Sequence, residues 1–435
     1  GGGVVFSASN AGGFTQEGTA SACVDKAAIS IGERCTISQY VIGGGYIGRS
    51  TKNATADTGD TSTTIGASTT LASNFIGGSM VESSENNQAN VVNIDTILAH
   101  NVTIADRFVG GNYLYNTKGT KADIAGDVNT SMGDESTING NSATGGSFIW
   151  GASDSTADIE GNVTTTAGDG VKTKSFAGGG MPYAGANSCS ASIAGSITTE
   201  FGNDYTVTAG EFVGAGYAYY NTSSCSANAA SVRTTFKNHA SVKTIIGAGW
   251  ARSGSSDSAN VTSSAALTFG DDASVTSTLF SGGNVNSSTN STADSGAVAV
   301  SFGKRAILSQ NLIGAGNVYN SANGHANTTS TDLFLGSESV INGWAECGGN
   351  VESCENGAAN VGFTKVTFDE NCTVKGSFVG GGYVYGGTQS QANAGDITTA
   401  FGASCQISNW YEGGGFLSEG TRNQADAGNI TARFE

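Results

Sequence analysis

The chain has 435 residues, of which 66 are Gly and one is Pro. Only 13% are charged, and the net charge is −17. So acidic a chain is a poor partner for phosphate backbones, and so Gly-rich a chain is a poor helix former. No apolar run reaches the ~18 residues that a membrane-spanning helix needs.

The polar, Gly-rich composition would fit a disordered chain if its apolar residues were scattered. They are not scattered: an internal repeat of about 33 residues, near thirteen copies, runs through the sequence. In chain order, each unit opens on a Gly-rich triplet. Triplets start at 43, 77, 110, 150, 178, 214, 247, 281, 314, 347, 380 and 413. An earlier Gly triplet at the start of the chain lies 42 residues before Gly43, which places a long loop at 7–21. The steps of 40 and 28 residues around 150 then sum to two ordinary turns.

Aromatic residues follow the triplet. Tyr46, Tyr113, Tyr217, Trp250, Tyr383 and Phe416 form one column, and Tyr115, Tyr219, Tyr319 and Tyr385 lie two residues on. Asn284, Asn317 and Asn350 interrupt the first column in successive units. Alternation places all of these on one outward face. Exposed rings on a Gly-rich sheet suit stacking on sugars or packing against a neighbouring rod, and ring-on-ring stacking that shields backbone fits equally.

A corner comes next. Ala precedes an Asn/Asp column of Asp57, Asn90, Asp123, Asp158, Asn228, Asn260, Asp294, Asn327, Asn360, Asn393 and Asp426. These residues are expected to form a structural ladder of stacked side-chain amides. Asp123 and Asp158, on adjacent units, also admit an acid/base or calcium pair, but ladder membership accounts for them more simply.

The unit continues with a stretch of period two, such as Ile397, Thr399 and Phe401 or Val298, Val300 and Phe302, and then a branched aliphatic column including Ile104, Val207 and Leu308. Period two is the strand signature. The unit therefore reads as about three short strands, and the chain as one all-β domain, 1–435: a single-stranded parallel β-helix, or β-solenoid, of about 13 turns. Ankyrin and tetratricopeptide repeats of similar length need helices, and thirteen units are too many for a propeller. Proline is nearly absent because interior strands must donate hydrogen bonds on both sides.

These repeats resemble the right-handed β-helix repeats of bacterial surface adhesins and autotransporter passenger regions. The resemblance spans the chain and implies display outside the cell and binding along a rod.

Eight cysteines remain. Cys372 with Cys405, and Cys189 with Cys225, occupy like positions in adjacent units. Cys347 and Cys354 flank one corner, and Cys23 and Cys35 lie in the first unit. Neighbour pairing suits disulfides in an oxidising compartment, while buried free thiols remain the alternative. No CxxC occurs and the three His are scattered, so neither a metal nor a cofactor is expected. No nucleophile motif is present, and the outward column with Arg233, Asp332 and Lys365 shows no catalytic focus.

The expected function is an extracellular structural or adhesive rod without catalysis. Glycan binding or processing is the alternative, and ice binding by the Thr pairs a minor one. Both ends fall within a unit, so self-association, head-to-tail or lateral, or continuation in a longer chain is expected, with a glycan or cell-surface ligand as a further partner and no membrane insertion.

Overall fold

The computed structural model describes residues 4–5, 21–49, 51–140 and 142–435. The loop expected at 7–21 and the opening Gly triplet lie almost wholly outside the described residues.

Every described strand pairs in parallel with its equivalent one turn away. Four sheets result, of thirteen, thirteen, twelve and twelve strands, so the chain makes about twelve turns rather than thirteen. Each turn carries four strands, not three. The long sheet runs from Val24–Ile31 to Ile430–Phe434, and the second from Thr36–Ile37 to Gln406–Ile407. The third runs from Val41–Ile42 to Tyr411–Glu412, and the fourth from Val4–Val5 to Phe416–Ser418. The third-sheet strand escaped the sequence reading because it is only two or three residues long, too short to show a period.

Register also corrects the repeat. Tyr113 pairs with Phe148 and Tyr115 with Trp150, so the triplet of that turn is Gly145-Gly146-Ser147 and not the segment at 150. With that register both turns have ordinary length. Phe148, Trp150 and, in the next turn, Tyr183 then join the aromatic columns.

The corners are closed by residues in the left-handed region, stacked in columns. One such column contains Asp204 (φ 57°), His239 (59°), Asp272 (58°), Arg305 (57°) and Glu338 (64°). Non-Gly residues rarely adopt this conformation unless their surroundings hold them there. Here a turn above and a turn below both do so.

The cross-section has two lobes. The larger core lies among the long, second and third sheets. Its Phe residues stack at the strand spacing: Phe201–Phe236 at 5.2 Å, Phe236–Phe269 at 4.9 Å and Phe269–Phe302 at 4.4 Å. The smaller core packs Leu114, Ile149, Val318 and Val384 of the fourth sheet against the corner Ala column. A waist separates the lobes where the third triplet residue meets the corner Ala. A Cβ on Gly382 would lie 1.4 Å from the Ala392 carbonyl oxygen, and one on Gly316 1.6 Å from that of Ala326. Close approach thus accounts for both the Gly and the Ala columns. Three early turns hold Ser79, Asn112 and Ser147 at this place instead, and the Asn112 side chain donates to the Ala122 carbonyl.

The Asn/Asp ladder is continuous but differs from a stack of amides. Each side-chain oxygen accepts from the main-chain N–H of the equivalent residue in the next turn. Examples are Asn90 N to Asp57 Oδ1 (2.9 Å), Asp158 N to Asp123 Oδ1 (3.0 Å) and Asp426 N to Asn393 Oδ1 (2.9 Å). Only an acceptor is required, so Asp, Asn and even Ser192 interchange. Asp123 and Asp158 are rungs of this ladder, and burial raises the Asp158 carboxyl above its ordinary range.

Candidate functional site

The waist bends the chain outward as well as inward. Between the third and fourth sheets the outer surface is therefore concave, and this groove runs along the rod axis. Its floor is the last residue of each third-sheet strand, including Ile76, Val109, Val213 and Ile246. Its wall is the first residue of each fourth-sheet strand, including Met80, Tyr113, Phe148, Met181, Tyr217 and Trp250. The rings are thus set in a groove and not on a flat sheet. Tyr113, Tyr217 and Trp250 are buried, at 2%, 6% and 4% exposure. Burial raises the phenols of Tyr113 and Tyr217 well above the usual tyrosine range.

The partly exposed rings of the fourth sheet include Tyr46, Tyr115, Trp150, Tyr183, Tyr219, Tyr383, Tyr385 and Phe416. They line the rim at axial intervals: Trp150–Tyr183 at 4.9 Å, Tyr183–Tyr219 at 5.4 Å and Tyr383–Phe416 at 5.3 Å. Two arginines lie over them. Arg107 sits 4.5 Å from the Trp150 ring, and Arg252 lies 4.9 Å from Tyr219 while its Nη1 is 3.3 Å from Glu211.

Two depressions open along the groove. One, of about 290 Å³, is lined by Ser142, Lys174, Met181, Tyr183, Glu211, Tyr217 and Tyr219 among others. The second, of about 310 Å³, is lined by Asn311, Trp344, Glu346, Asn350, Glu352, Tyr383 and Tyr385. It lies where the aromatic column gives way to asparagines. Asn317 Nδ2 donates to Asn284 Oδ1 at 3.0 Å, and Asn350 Nδ2 donates to Glu346. Glu346 is 3% exposed. Burial pushes its carboxyl up to about 8, with the Glu352 charge adding to the rise and the Asn350 bond opposing it. Burial also raises Glu352. Tyr383 is pushed up to about 12 by burial and by the charges of Glu346 and Glu352.

Sequence reasoning found the tyrosines of this second depression but missed Asn311, Trp344, Glu346 and Glu352. A signal existed. The groove-floor column reads Ile76, Val109, Thr144, Ala177, Val213, Ile246, Phe280, Ile313, Glu346, Val379 and Glu412, so the buried Glu346 interrupts an apolar or neutral run that ends on the exposed Glu412. It was invisible without the two-residue third-sheet strand. Among the described residues no three His, Cys, Asp or Glu side chains are grouped to hold a metal ion.

All eight cysteines are free thiols, which corrects the disulfide expectation. Cys347 faces the larger core and Cys354 the smaller one, so the waist divides them. Cys23 occupies an exposed ladder position, whereas Cys35 lies in the register of the second sheet beside Thr69. Cys189 with Cys225, and Cys372 with Cys405, do stack in adjacent turns. The two thiols of each pair hydrogen-bond to one another, and each pair also donates to a carbonyl: Cys189 Sγ to Ala152 O at 3.3 Å and Cys405 Sγ to Asp369 O at 2.9 Å. Burial pushes the Cys372 thiol up to about 12, which suppresses the thiolate that oxidation requires.

No protein-family model, curated protein or solved structure matches this chain. The groove has to be read on its own chemistry.

Proposed function

We propose that the chain is a structural and adhesive rod, displayed outside the cell, that holds an extended glycan in the groove between its third and fourth sheets without cleaving it. The observation that supports this most is the row of half-buried rings from Tyr115 through Trp150 and Tyr183 to Tyr219, spaced 4.9–6.2 Å apart along the axis. A ring whose edge is fixed by its neighbours offers an apolar face at little entropic cost, and sugars present matching apolar faces. Arginine and carboxylate groups along the rim supply directional hydrogen bonds. The low content of charged residues and the richness in Gly, Ser and Thr fit a surface-displayed rod, as does the resemblance to adhesin repeats.

A glycan array probed with the intact chain tests the reading. Binding is expected to at least one class of extended polysaccharide, and a Tyr115→Ser, Tyr183→Ser, Tyr219→Ser triple variant should weaken it by tenfold or more with its circular dichroism unchanged. Failure of the intact chain to retain any glycan would overturn it, and release of new reducing ends from a bound polysaccharide would overturn its non-catalytic part.

A further inference from the structure

The second depression has a charge problem that its own residues do not solve. Glu346 and Glu352 both line it, and burial disfavours the ionised form of each. No lysine, arginine or histidine is among the groups that act on either carboxylate. The titratable neighbours are instead Glu352, Tyr383 and Tyr385 within the cavity. Tyr319 adjoins Glu352 in the preceding turn, and Cys347 lies behind Glu346 in the core. None of these is cationic. A second observation is independent of charge. Asn350, 5% exposed and lining the same cavity, gives its amide hydrogen to Glu346 but leaves Oδ1 buried without a partner. A buried acceptor left unpaired is costly, and a donor brought by a ligand would relieve it.

The remaining lining completes the chemistry. Trp344 stands edge-on to Tyr383 at 5.7 Å, and Tyr385 follows Tyr383 on the same face of its strand. Aromatic faces converging with carboxylates are the recurring solution for holding an organic cation: the rings attract it through their quadrupoles and the carboxylates neutralise it. Both carboxylates repel anionic sugars, and the volume is at the small end of ligand pockets, roughly 300–1,000 Å³.

We propose that the cavity formed by Trp344, Glu346, Asn350, Glu352, Tyr383 and Tyr385 is a subsite for an organic ammonium group, carried by an amino-sugar residue of the glycan in the groove. The ammonium N–H groups reach Asn350 Oδ1 and the carboxylates, and the rings cover its flanks. The assignment rests on the groove being a glycan site. It adds that one stretch of the groove selects for positive charge. Since the cation needs ionised carboxylates, binding releases the proton that Glu346 otherwise keeps at neutral pH.

The test is calorimetric titration of the full chain with ethylammonium, which keeps its charge and its N–H groups up to pH 9, and with glucosamine and N-acetylglucosamine tetramers at pH 7. Ethylammonium affinity is expected to rise tenfold or more between pH 6 and pH 9. Proton release should accompany ethylammonium binding at pH 7, and the glucosamine tetramer should bind at least tenfold tighter than its acetylated counterpart. Glu346→Gln and Glu352→Gln should each remove most of these differences, whereas Lys365→Gln, on the outer face of the long sheet, should leave ethylammonium binding unchanged. Absence of ethylammonium and glucosamine-tetramer binding at millimolar concentration would overturn the subsite. Equal binding of the two tetramers, unaffected by Glu346→Gln, would overturn the subsite while leaving the groove as a glycan site.

Discussion

Two stretches of the groove share one backbone and differ in how they are filled. In the turns of Met80, Tyr113, Phe148, Met181, Tyr217 and Trp250, large side chains of the fourth sheet occupy the concavity. In the turns of Asn284, Asn317 and Asn350, amides take the same place. The interior of the long sheet shows the opposite trend. Behind the aromatic stretch its inward column is Thr63, Thr96, Thr130, Thr165, Thr199 and Thr234, all buried, with hydroxyls that have no partner among the described residues. Behind the asparagine stretch the same column is Leu267, Val300 and Leu333. A turn gains stability chiefly from the apolar area that it buries. It can bury that area in the outer groove or in the inner core, and this chain uses each in a different stretch. Where the groove wall is amide, the outer surface is free to become a polar site.

The largest expected effect comes from moving a turn between the two patterns. Trp250→Asn should destabilise its turn by about 3–5 kcal/mol, the usual loss for a large buried ring. Adding Thr234→Leu should recover about 1–2 kcal/mol, because Leu267 shows that the column accepts leucine in the next turn. Turns of a solenoid couple mainly to their neighbours, so amide hydrogen exchange along Trp250–Arg252 and the adjoining strands is the appropriate readout. Strictly additive effects of the two substitutions would break the proposed exchange between groove and core.

A smaller effect separates the stretches by pH. The folded state raises the Glu346 carboxyl from its ordinary value of 4.5 to about 8. The neutral acid is therefore the form that the fold favours. Its contribution is fully present below about 4.5 and is lost as pH rises through about 8, a change on the order of a few kcal/mol. Protection of the Gly314 and Cys347 amides, which bond across neighbouring turns at this site, should fall over that range in the wild-type chain. In Glu346→Gln it should stay nearly flat. Parallel pH profiles would mean that the buried carboxyl does not control this stretch.

The smallest effect tests the inner column. Thr199→Val replaces an unpartnered buried hydroxyl with a methyl of similar size and should leave stability unchanged or raise it by about 1 kcal/mol. A loss of more than that, measured by hydrogen exchange in the same turn, would show that the threonine hydroxyls are bonded in solution and that the inner column is not merely the apolar deficit of the aromatic stretch.

Much of this was legible in the chain. Inward residues such as Phe302 and Val384 follow from alternation, and the corner Ala follows from its recurrence. The third-sheet strand was not legible, because two residues cannot display a period. Without it the bend was hidden, and Tyr113, Tyr217 and Trp250 read as exposed. The triplet Gly145-Gly146-Ser147 has the same form as Gly77-Gly78-Ser79 and was legible in the chain, but it was misplaced until the pairing of Tyr113 with Phe148 fixed the register. Pairing of the cysteines was also undecidable, since whether Cys347 and Cys354 meet depends on which lobe each faces.

By itself, then, the sequence determined a parallel solenoid of roughly 33-residue turns with a ladder at one corner, because a repeated pattern of small, polar and apolar residues fixes what stacks on what. Tertiary structure alone decided that the waist between Gly382 and Ala392 makes the outer face concave, and that Glu346 enters an aromatic cavity. Both depend on the angle between strands too short to leave a periodic trace.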